Sequence, residues 1–163
     1  MGYQMGGGKQ FPDSCGVTEC TIPETVANDE TIARALFPPI HFSSSGKIRG
    51  AAFKAPSGKM DVSVMRSSYL SSSECCRRAT EMQKEGKLFA GFALLCVGFV
   101  RNLQLKVEDS RQIFCGHADI WHHQPFIKGE PPSPEVNIVL DALAKHALLV
   151  ICEANDPLTR ENC

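Results

Sequence analysis

The run LFAGFALLCVGFV, residues 88–100, puts apolar side chains on both faces of any extended segment. A strand of that kind needs cover on both sides, so the chain must build a sheet with packing above and below it. The run falls short of the ~20 residues a membrane helix requires and belongs in a core. Gly91 and Gly98 let it bend or break, which leaves a helix over 92–102 as the competing assignment.

The flanking segments supply that cover. Asp29 caps a short helix over DETIARALF, with Ile32, Ala35 and Leu36 as its stripe and Pro38-Pro39 as its stop. Met60, Val62 and Val64 alternate with polar positions as a one-sided strand over 60–65. Ser72 or Ser73 caps a helix through SSECCRRATEMQKEGK, with Cys75, Ala79 and Met82 inward and Glu74 and Arg78 paired outside. Leu103, Leu105 and Val107 mark a half-exposed strand over 103–108, and 115–121 joins the same sheet. Ser133, Pro134 and Glu135 open the clearest helix, whose stripe runs through Val136, Val139, Leu140 and Leu143. LLVIC, 148–152, closes as a buried strand. The fold class expected is α+β: a single compact domain, with a mixed β-sheet packed by two to three helices. It occupies 30–153, between a flexible arm over 1–29 and a polar tail over 154–163.

A chain of 163 residues is long enough to bury one core without staples. Its net charge of −1 gives no global pull toward nucleic acid or an anionic membrane. The N-terminal stretch has no apolar signal region. Cys96 and Cys152 lie inside apolar runs, where a thiol behaves as a small hydrophobe. The eight cysteines therefore read as mostly free thiols of a reduced, cytoplasmic protein.

Chemistry concentrates in CGHADIWHH, residues 115–123. On a strand, Cys115, His117, Asp119 and Trp121 share one face, turned to solvent or a cleft, while Ala118 and Ile120 face the core. Cys115, His117 and Asp119 can reach a common ion, and the cysteine favours zinc; otherwise no cofactor is expected. His117 stands out among the five histidines because Gly116 and Ala118 leave room beside it and two neighbours can orient it. A second cluster, IHFSSSGKIRGAAFK, gathers His41, Lys47, Arg49 and Lys54 around a glycine turn that could hold a phosphate or carboxylate.

Three short patterns, Arg49 to Lys54, Met60 to Val64 and His117 to Ile120, precede an alanine-rich amphipathic helix and an apolar strand. The succession resembles one found in small bacterial proteins without an assigned activity. That resemblance implies a single fold unit, a bacterial source and a grouping of Arg49, Phe53 and His117. Two functions follow as expectations. One is an accessory protein that binds a protein partner or a larger complex, as components of bacterial defence or toxin systems do. The other is a hydrolase or nuclease with His117 as general acid/base and Arg49 stabilising anionic charge. Gathering of Arg49, His41 and His117 around one pocket would favour the enzyme; scatter beside an exposed apolar surface would favour the binding protein.

Overall fold

A computed structural model describes residues 19–152, 158–161 and 163. Six strands form one sheet: β1 (Thr31–Leu36), β2 (Asp61–Met65), β3 (Gly91–Cys96), β4 (Lys106–Asp109), β5 (His117–Trp121) and β6 (Leu148–Ile151). Their order is β4-β5-β2-β1-β3-β6. Helices α1 (Ser72–Glu81), α2 (Val97–Asn102) and α3 (Pro134–His146), with a 3-10 turn over Gly50–Phe53, complete a single α+β domain. Every strand pairing is antiparallel, where the sequence suggested a mixed sheet.

The two-sided cover that the 88–100 run demands is present. On one face Leu140 and Leu143 of α3 pack with Phe53, Val64 and Leu95. On the other, Cys75 and Ala79 of α1 pack with Phe92, Leu94 and Met65. The run itself is β3 followed directly by α2, so both of its competing assignments describe part of it.

Segment 31–36 is a strand, not the expected helix. It lies at the sheet centre with Ile32, Ala33, Ala35 and Leu36 all buried, so both faces are apolar and no alternation shows. Ile32, Ala35 and Leu36 happen also to fall on a helical stripe, and tertiary packing overrides that local preference. Strand β6 is an outer strand with Leu148 and Ile151 about half exposed, not a buried closing strand. Helix α1 is capped by Ser71, one residue earlier than expected, and α3 by Ser133 as expected.

The expected free thiols are corrected: Cys20–Cys115, Cys76–Cys152 and Cys96–Cys163 are disulfides, and Cys75 is a buried free thiol. The segments expected to be arm and tail are tied down by them. Of the arm, residues 19–29 are described; Cys20 is bonded to the entry of β5, and Val26 is buried. Of the tail, Leu158 is buried and Cys163 is bonded to the end of β3. Residues 1–18, 154–157 and 162 of these two segments lie outside the described residues. No helix among the described residues is long and apolar enough to cross a membrane.

Arg66, just after β2, is wholly buried and pairs at 2.7 Å with both Glu30 and Asp109. It also donates to the carbonyls of Pro23 and Thr25. Removing one partner of a buried ion pair strands a charge and typically costs about 3–5 kcal/mol. Glu30→Gln should therefore lower unfolding stability by about 3 kcal/mol in denaturant melts. Arg77→Ala, which breaks exposed pairs with Glu74 and Glu81, should leave the denaturation midpoint nearly unchanged. Equal effects would remove the node's special standing. Thiol titration of the denatured, unreduced protein should leave six of the eight cysteines unreactive; more than two reactive thiols would contradict the three bonds.

Candidate functional site

Strands β1 and β2 pair only at Ala33 and Met65, while β1 continues against β3 and β2 against β5. The sheet thus opens into a wedge between its central strands. Arg34 fills the missing ladder: its Nε donates to the Ala52 carbonyl at 2.9 Å and its Nη1 to the Ser63 carbonyl at 3.0 Å. Against this wedge, beneath α1, lies a cavity of about 380 Å³. Its polar lining is Arg34, Ser63, Arg78, Glu81 and His117; Met65, Met82, Ile113 and Phe114 contribute apolar wall.

His117 reaches this cavity because β5 alternates as expected, with Ala118 and Ile120 in the opposite core. Gly116 before it has φ +96°, and a Cβ there would meet the Leu70 side chain at 2.7 Å, so glycine is required on two counts. His117 is not turned to solvent; it and Asp119 are buried. Its ring lies edge-on to Phe114 at 5.0 Å. Nδ1 is hydrogen-bonded to the Ser110 hydroxyl, and Asp119 Oδ1 stands 4.0 Å away with no hydrogen-bond partner among the described residues. Burial lowers the His117 pKa against the opposing pull of Asp119, Asp109 and Asp61. Burial likewise raises the Asp119 pKa, with Ser110 and His117 working against it. Nδ1 is thus engaged by Ser110, and Nε2 has no hydrogen-bond partner among the described residues. A neutral imidazole so held can accept a proton or a hydrogen bond from a ligand.

The other predicted residues do not converge on this cavity. Cys115 is in a disulfide with Cys20, so it has no thiolate for a metal. His117 and Asp119 alone are one short of the three protein ligands of a catalytic zinc site. No group of three His, Cys, Asp or Glu gathers as a metal site among the described residues. Arg49 and Lys47 are exposed and line a separate depression beside Asp141 and Lys145 of α3, on the other side of the sheet. Lys54 follows the 3-10 turn and is half-buried. His41 is buried, and its Nδ1 accepts from the Phe37 N–H at 3.1 Å, which fixes it as neutral at that nitrogen. His122 bonds the Phe53 carbonyl at 2.8 Å through Nε2. His146 stacks on Phe99, and burial lowers its pKa, so it does not stand as a cation at the end of α3.

Of the polar lining only His117 was expected; Ser63, Glu81 and both arginines, Arg34 and Arg78, were missed. Arg34 is the single charge in TIARAL, a segment otherwise nearly apolar. Read as a strand, that stretch would have flagged a guanidinium forced into the interior; read as a helix, it placed Arg34 off the stripe. Arg78 was assigned only to its surface pair, and it also lies over the Phe114 ring at 4.3 Å. In comparisons with known proteins the chain matches no family model, no curated protein and no solved structure.

Burial lowers the pKa of His41 to about 4, helped by Arg34 and Lys87, and burial also lowers His117 and His122. Each binds fewer protons folded than unfolded, so its contribution is complete above about pH 6.5 and is lost as the pH falls below it. His41 alone accounts for about 3 kcal/mol by pH 4; the raised pKa of Asp119 opposes in part. Melting temperature should fall steadily from pH 7 to 4.5. A flat profile would show that these imidazoles are not held neutral.

Proposed function

We propose that the chain is an interaction protein, an accessory subunit that docks a protein partner in an apolar groove. The observation that carries this reading is a groove of about 580 Å³ on the α3 side of the molecule. Leu103, Leu105, Phe126, Ile127, Val136 and Val139 line it. Its walls are fixed before any partner arrives. The Phe126 ring packs edge-on to His122 at 4.9 Å, and its carbonyl and N–H bond Gly58 and Lys59. Ile127 remains 54% exposed at the edge of the groove, where a partner could cover it. Glu130 and Glu135 also line the groove, which suits an apolar segment flanked by basic residues. Scatter of Arg49, His41 and His117 supports the same choice over the expected catalytic pair.

Acid–base chemistry at His117 is retained as the second reading, because its cavity and its free imidazole nitrogen suit it. Arg49 has no place in that version; Arg34 stands where a cation was expected. Assignment to the cytoplasm rested on free thiols, and three disulfides fit an oxidising compartment better.

The test is purification under native conditions from cells that produce the protein, alongside an Ile127→Glu variant at an exposed position of the groove. The parent should elute in a defined complex heavier than 17.8 kDa, and the variant as a single chain with an unchanged melting temperature. Identical elution of both as single chains would end the interaction reading.

A further inference from the structure

The geometry points to the wedge cavity as a binding site for a small organic carboxylate, its head on Arg34 and its apolar body against Met65, Met82 and Phe114. This site is separate from the groove and does not depend on it. Two arginines in the same fold, Arg66 wholly buried and Arg34 half-buried, show why Arg34 is unusual. Arg66 is given two carboxylates, Glu30 and Asp109. Arg34 is given none among the described residues; its partners are two neutral carbonyls, on Nε and Nη1. A guanidinium has five N–H donors, so three remain, one on Nη1 and two on Nη2. Nη2 has no partner among the described residues, so it can join Nη1 in a two-point fork on a carboxylate.

The surroundings deepen the imbalance. His41 and Lys87 are close enough to Arg34 for its charge to lower both of their pKa values, alongside burial. Arg34 itself is brought down to about 10 by burial. The acids that α1 carries are already engaged: Glu74 pairs with Arg77 and Arg78, and Glu81 with Arg77. Removing a cation from water without a counter-charge is costly, and an entering anion relieves that cost. The cavity volume of about 380 Å³ lies within the range of small-molecule sites. Its apolar wall excludes a bare inorganic anion as the best fit, and His117 adds a second polar contact.

Octanoate is the probe, with octan-1-ol and inorganic phosphate as controls, titrated into the full chain carrying 13C-methyl methionine. Octanoate should bind saturably in the millimolar range or tighter, with intermolecular NOEs from its chain to the Met65 and Met82 methyls. Octan-1-ol, phosphate, and octanoate on Arg34→Met should each bind at least about tenfold more weakly. The NOEs are read on the unsubstituted protein, so they decide the location even where Arg34→Met fails to fold. Arg34→Lys, which keeps the charge and loses the fork, should fall between. Absence of saturable octanoate binding, equal affinity for octan-1-ol or phosphate, or full affinity in Arg34→Met would each overturn the site and leave Arg34 as a brace for the splayed strands.

Discussion

The buried guanidinium of Arg66 is the constraint that the strand ends obey. It sits with no solvent contact between Glu30, which leads into β1, and Asp109, which ends β4, and it reaches the Pro23 and Thr25 carbonyls. Glu30 in turn accepts from the Ala27 N–H through its side chain and from the Val97 N–H through its carbonyl. An unpaired charge here would cost several kcal/mol, so these segments assemble around Arg66 together. The candidate site inherits its geometry from that assembly. Arg66 N–H donates to the Gly116 carbonyl at 2.8 Å, and Ser110, next to Asp109, donates its N–H to His117. The bond from the Ser110 hydroxyl to His117 Nδ1 is therefore set by a charge cluster that never touches the cavity.

Arg34 meets the same problem with a different answer. Its strand leaves β2 after one pair, and the side chain substitutes for the absent ladder by bonding carbonyls. Carbonyl bonds satisfy donors but do not cancel charge. Arg66 therefore carries carboxylates, and Arg34 has none among the described residues. The disulfides act elsewhere: they fasten segments at the two ends of the described chain to the entry of β5 and the end of β3, and α1 to the residue after β6.

Legibility in the sequence followed one-sidedness. Helices α1 and α3 each bury a single face, so period and capping residues named them, and β2 was named by the alternation of Val62 and Val64 with half-exposed neighbours. Strand β1, covered on both faces, lost its alternation and took a helical disguise, and with it went Arg34. Of the two settings the sequence left open for the His117 face, solvent or a cleft, His117 takes the cleft. The grouping of Arg49 with His117 failed. Arg49 leads into the turn packed under α3 and His117 projects beneath α1, so the sheet stands between them. Disulfide partners could not be read at all, because spacing along a chain says nothing about which distant cysteines meet.

Strand β5 connects the two surfaces. His117 at its start faces the cavity, and His122 just after its end lines the groove. Coupling between them would need β5 to occupy two arrangements. It is hydrogen-bonded along its length to β2 on one side and over four positions to β4 on the other, and a one-residue slip would reverse every side chain. His122 is further held to the Phe53 carbonyl, and the start of the strand is tied through Cys115 and Gly116. A strand fixed at both ends and both edges transmits little. The cavity and the groove are thus best regarded as independent sites on one rigid sheet: an anion on Arg34 changes the charge of its own pocket and leaves the docking surface as it was.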